Sequence, residues 1–118
     1  MSGHFHLRGE TLRNIDYRRV LWTTKYHQLV LMCLLPGEDI PSETHENTSQ
    51  FIRIEQGKAL IYVDGTPVEF ASGDAADISP GSIHRVVNSD LKESLLLYTV
   101  YSPPEHQEGL VLTRQPLN

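Results

Sequence analysis

Turn residues cut this chain into short pieces, and that spacing limits the fold more than any other feature. Pro36-Gly37, Asp64-Gly65, Gly73-Asp74, Ser79-Pro80-Gly81 and Ser102-Pro103-Pro104 each stop a run of strand-forming residues. The runs between them are residues 19–23, 27–35, 50–55, 59–63, 66–70, 73–78, 84–87 and 95–101. Residues 50–55, Gln-Phe-Ile-Arg-Ile-Glu, alternate in period 2, the mark of a half-buried strand. Asp64-Gly65 between two such runs predicts a tight hairpin, because both central positions need φ > 0. Residues 27–35 are almost continuously apolar, which suits a buried helix or a buried strand; the abrupt Pro-Gly stop favours the strand. A short turn near residues 10–14 is the one helix expected. Roughly seven to ten short strands with Gly and Pro between them indicate a sandwich or small barrel.

Bulk properties exclude several functions. The 118 residues read as one domain. A net charge of -5 gives no basic surface for a nucleic-acid backbone, so no nucleic-acid partner is expected. No apolar run approaches the about 20 residues of a membrane span, so no membrane partner is expected either. Cys33 is the single cysteine, which rules out an intrachain disulfide and suits a buried hydrophobe. The first residues carry no apolar leader, so the expected compartment is the cytoplasm.

Two segments carry the chemistry. Residues 36–57 hold Glu43 and His45, two apart, then Gln50, with Gly at each end. Residues 80–88, Pro-Gly-Ser-Ile-His-Arg-Val-Val-Asn, hold His84. Strand residues two apart share a face, so Glu43 and His45 can both point into a barrel. Gln50 opens the next strand and His84 follows a Pro-Gly turn. Two imidazoles, a carboxylate and an amide oxygen form a mixed N/O set for a divalent transition ion, with Fe, Mn, Zn and Ni all suitable. The lack of thiolates argues against a structural Zn site. Taken singly, Glu43 is an ordinary loop carboxylate and Gln50 an ordinary strand-end hydrogen-bonder. The joint spacing is what points to a site.

The chain resembles the cupins, the RmlC-like jelly-roll β-barrel superfamily. Gly37, Glu43-Thr44-His45, Gln50 and Gly57 follow the spacing of the first cupin motif, and Gly73, Pro80-Gly81, His84 and Asn88 follow the second. The departures are chemical: Glu43 stands for a His, Gln50 for a Glu, and Ser79 for a Pro. With the tail Tyr101-Ser-Pro-Pro-Glu-His106, the pattern is similar to small cupins often called mannose-6-phosphate-isomerase-like.

The resemblance implies an all-β jelly-roll barrel, with a core over about residues 17–102, an N-terminal arm 1–16 and a C-terminal tail 103–118. It implies a metal held by Glu43, His45, Gln50 and His84, acting on a small polar molecule such as a sugar derivative. It also implies a homodimer that covers sheet edges. Tyr62, Tyr98 and His106 are the expected pocket residues. Two alternatives stay open. A metal-free isomerase or epimerase would use His45 as base and Tyr62, Tyr98 or Tyr101 as acid. A non-catalytic binding or assembly module would have a filled barrel.

Overall fold

The computed structural model describes residues 2–117. Its elements are α1 (Leu7–Arg13), β1 (Arg18–Thr23), β2 (Gln28–Leu34), β3 (Asp39–Thr44), β4 (Ser49–Gln56), β5 (Lys58–Val63), β6 (Thr66–Ala71), β7 (Ala75–Ile78), β8 (Ile83–Asn88), β9 (Leu95–Ser102) and β10 (Val111–Leu112). Two antiparallel sheets face each other, one ordered β10-β1-β2-β9-β4-β7 and the other β3-β8-β5-β6. This is the expected all-β jelly roll.

The core fills the space between the sheets. Val30, Met32 and Leu34 of β2, Ile52 and Ile54 of β4, and Leu95 and Leu97 of β9 meet Ile40, Ala59, Ile61 and Val86 of the other sheet. The apolar run at residues 27–35 resolves as strand β2, buried along its whole length. Its alternate residues Leu29, Leu31 and Cys33 are buried but lie outside that core. They belong to the outer face, where α1 packs against β2, β4 and β9. A strand covered on both sides loses its polar alternation, which is why its sequence reads as continuous apolar.

Asp64 and Gly65 take φ of 49° and 85°, and Val63 pairs with Thr66 across the turn. The Asp64 carboxylate also accepts the Ile83 N–H at 2.9 Å, tying this hairpin to the start of β8. Pro67 lies on the edge strand β6, where a missing donor breaks no ladder.

Two details differ from the sequence reading. The helix runs over Leu7–Arg13, earlier than residues 10–14. Asn14 ends it, because its amide side chain turns to the Asp16 backbone instead of continuing the helix. Regular structure also continues past Ser102-Pro103-Pro104. Strand β10 returns to pair with β1, and the Gln115 side chain holds both the Asp39 N–H and the Asp39 carboxylate. The tail is therefore part of the fold. Among the described residues, no helix is long and apolar enough to cross a membrane.

Candidate metal centre

Strand register places the chemistry. Glu43 of β3 and His84 of β8 are direct cross-strand partners. Gln50 of β4 and Tyr101 of β9 are partners on the opposing sheet. A bulge between Ile40 and Glu43 re-aims the end of β3, a common device beside a site. His45 follows β3 in a loop whose carbonyl accepts the Gly81 N–H at 2.9 Å. That bond joins the first sequence segment to the second.

The side chains converge. Glu43 Oε1 lies 3.2 Å from His45 Nε2 and 3.4 Å from His84 Nε2. The two imidazole rings are 5.3 Å apart. The ligand atoms of Glu43, His45 and His84 all lie within 4.8 Å of one another. Despite these distances, Glu43 Oε1, His45 Nε2, His84 Nε2 and Gln50 Oε1 are buried and have no hydrogen-bond partner of acceptable geometry. Such orphaned atoms are rare, because burying a polar group unpaired costs roughly 1–3 kcal/mol.

The outer partners explain why these atoms stay bare. His45 Nδ1 lies 2.8 Å from Glu105 Oε1, and a carboxylate can only accept. His84 Nδ1 lies 3.3 Å from the Ser82 carbonyl oxygen, which can also only accept. A proton on each Nδ1 suits these outer acceptors, and in that tautomer each Nε2 presents a lone pair toward Glu43. Gln50 donates its amide to the Tyr101 hydroxyl at 3.3 Å, which leaves its carbonyl oxygen free. Two nitrogen lone pairs, a carboxylate oxygen and an amide oxygen are thus acceptors without a donor. A divalent cation is what such a set fits.

The pocket residues sort differently from expectation. His106 does reach the site: its ring packs edge-on to Tyr101 at 5.0 Å, and its Nε2 is buried and unpartnered. Tyr62 and Tyr98 do not join the cluster. Tyr62 pairs with Arg85 while its neighbour Val63 pairs with the inward His84, so alternation turns Tyr62 outward. There it lies 6.0 Å beneath the Arg85 guanidinium. Tyr98 alternates with the core residues Leu97 and Thr99 and faces out for the same reason. The inward tyrosine is Tyr101, fully buried between His45 and His106.

Glu105 escaped the sequence reading altogether. It is placed by Gln28, a fully buried amide at the start of β2. Gln28 accepts the N–H groups of Glu105 and His106 at 3.2 and 2.9 Å and donates to the His106 carbonyl at 2.8 Å. A glutamine opening an otherwise apolar strand was the available signal. A cavity of about 780 Å3, walled by Phe5, Trp22 and Tyr26, lies elsewhere, between the N-terminal arm and the outer sheet face. None of the orphaned polar atoms lines it, so it is not the chemical site.

Electrostatics agree with the geometry. Burial acts to raise the Glu43 carboxyl, but hydrogen bonds and positive charge from the His84 and His45 imidazoles outweigh it and hold it below its ordinary value, so a proton on either Nε2 competes with an ion for the same place. Burial raises the Tyr101 phenol, so it stays protonated. His106 is pushed down to about 4, by burial first and then by the charge of Arg18. The unfolded chain therefore takes up that proton first, near pH 6.5. Stability from His106 is full above that pH and is lost as pH falls toward about 4, the direction in which Glu43 also acts. We expect roughly 1–2 kcal/mol less unfolding free energy at about pH 5 than at about pH 7. Urea titrations at the two pH values check this, and His106→Asn should flatten the difference. An unchanged pH dependence in that variant would refute it.

Comparison with known proteins fits this architecture. A cupin domain model matches residues 30–101. The chain belongs to the cupin family. A protein of Acanthamoeba polyphaga mimivirus is 41% identical over 114 residues, covering 94% of this cupin and 71% of the relative. YrkC of Bacillus subtilis is 39% identical over 107 residues, covering 86% of this cupin and 57% of YrkC. The crystal structure of BH2720 from Bacillus halodurans superposes with a TM-score of 0.93 at 33% identity, covering 97% of this cupin and 90% of BH2720.

Proposed function

We propose that this cupin holds one divalent transition ion through Glu43, His45, His84 and Gln50, and acts on a small polar molecule such as a sugar derivative. The observation that carries this reading is the convergence of the buried, unpartnered ligand atoms of Glu43, His45 and His84 within 4.8 Å of one another, with the unpartnered Gln50 amide oxygen on the facing sheet. When bound, the ion would polarise a substrate oxygen as a Lewis acid. The narrower likeness to mannose-6-phosphate-isomerase-like cupins supplies the sugar-derivative part. Iron, manganese, nickel and zinc all suit the donor set.

The chain's own residues have separable tasks. Glu105 and the Ser82 carbonyl hold the two imidazoles in the ligating tautomer. Tyr101 orients the Gln50 amide. His106 offers a neutral imidazole nitrogen to a substrate proton. Glu105→Ala should weaken metal affinity about 10- to 100-fold, because the second partner of a ligating histidine fixes its orientation. Glu105→Gln keeps an acceptor and should lose less. Calorimetric titration with Mn(II) checks both, and equal affinity in all three proteins would contradict the role.

Metal analysis of untagged, chelator-free protein tests the main reading. One equivalent of ion, restored after stripping, is expected; no ion and no uptake would sink it. The His45–Glu105 pair also favours a second reading, a metal-free isomerase with His45 as base. In that case His45→Ala abolishes turnover while chelator leaves it unchanged. Strands β10, β7, β3 and β6 are sheet edges, and we propose that a homodimer covers one of them, which light scattering would report.

A further inference from the structure

Arg18 stands in an unusual place. It opens β1 in register with Met32, which in turn pairs with Leu97, and both of those face the core. An arginine therefore starts inward on the six-stranded sheet, where its neighbours in phase are apolar. Its Nε is buried and has no partner among the described residues. Arg13, Arg53, Arg85 and Arg114 each lie within ion-pair distance of a carboxylate; Arg8, Arg18 and Arg19 make no such pair among the described residues, and of these three Arg18 alone is partly buried, the other two being exposed. The Tyr17 ring flanks its guanidinium at 5.4 Å.

The surroundings connect this cation to the metal centre. Arg18, Tyr17, Ser42, Gln115 and Glu43 line one cavity of about 170 Å3. The positive charge of Arg18 also acts on the Tyr101 phenol and the His106 imidazole, which border the cluster. Neither nearby carboxylate answers it: Glu43 Oε1 lies between the two histidines, and Glu105 lies against His45. A partly buried guanidinium without a counter-ion is costly, and its planar fork matches the oxygens of a carboxylate or phosphate.

We infer that Arg18 is an anion-binding residue of this site, and that the ligand is a small polar molecule carrying a carboxylate or phosphate. The guanidinium takes the anionic group while the rest of the molecule reaches along the cavity to Glu43. The inference rests on the reading of the cluster as a ligand-binding centre. It narrows that reading from any sugar derivative to an acidic one.

The test titrates gluconate, inorganic phosphate and neutral glucose into metal-free and Mn(II)-loaded protein by calorimetry, with metal uptake measured on the same samples. Gluconate or phosphate should bind, and the stronger of the two identifies the anionic group. Arg18→Gln should weaken that binding about ten-fold or more, the loss of a charge-assisted hydrogen bond. Arg18→Lys should keep part of it, which separates lost charge from lost folding. Glucose should show no dependence on Arg18, and Mn(II) uptake should be unchanged in both variants. Anion binding equal in wild type and Arg18→Gln, or no anion binding at all, overturns the inference. Arg18-dependent anion binding in a protein that takes up no metal supports it while refuting the metal reading. Normal metal uptake with no Arg18-dependent anion binding does the reverse.

Discussion

Saturating the metal-free protein with a divalent transition ion is expected to raise its melting temperature by about 10 °C. Mass action sets the size: an ion at a hundred times its dissociation constant, bound to the folded state alone, adds about 2.7 kcal/mol. For a domain of this length each kcal/mol moves the midpoint by about 3–5 °C. The unfolded chain has no preformed site, since Glu43 and His84 meet only through the β3–β8 pairing. Most of the ion's affinity therefore appears as stability. His84→Ala removes a ligand and should abolish most of the shift. Differential scanning calorimetry with and without ion gives the number. His4 and His6, whose rings lie 5.3 Å apart, provide the control, because His4→Ala/His6→Ala should leave the shift intact. A shift that survives in His84→Ala but vanishes in that control would move the binding to the N-terminal arm.

Gly57→Ala is the second large effect, expected to cost about 3 kcal/mol of a total near 5–15 kcal/mol. Gly57 closes the first sequence segment and joins β4 to β5 at φ 92°. An added Cβ there would sit 2.8 Å from the Ser94 carbonyl oxygen and 3.2 Å from Leu95 Cα. Both are backbone atoms next to the start of β9, so no side chain can swing aside. The strain of a left-handed alanine adds to the clash. Gly37→Ala is the comparison: its φ of 88° carries the same strain, but nothing lies within 4 Å of an added Cβ. Urea unfolding should show a clearly smaller loss for Gly37→Ala. Equal losses would mean that conformation, and not contact, sets the cost.

The candidate ligand set is legible in the sequence because its information is local. Glu43 and His45 lie two apart, Gln50 and His84 each follow a turn, and glycines fix where the strands begin and end. The pocket tyrosine was harder. Residues 95–97 are Leu-Leu-Leu, buried on both faces of a central strand, so β9 carries no alternation from which to tell Tyr98 from Tyr101. The structure fixes the phase through the pairing of Tyr101 with Gln50 and the burial of Leu97 and Thr99 on the same face. Glu105 was invisible for a different reason. Its link to His45 spans 60 residues and depends on Gln28 clamping the tail, a contact without periodicity. Strand β10 has two residues, too few for any pattern.

The most direct test of the account is a crystal of this cupin grown with Mn(II) and measured for anomalous scattering. One strong peak is predicted between Glu43 Oε1, His45 Nε2 and His84 Nε2, with the Gln50 carbonyl oxygen turned toward it. No peak there, with Gln50 and His84 hydrogen-bonded to each other in a dry barrel, would contradict the account.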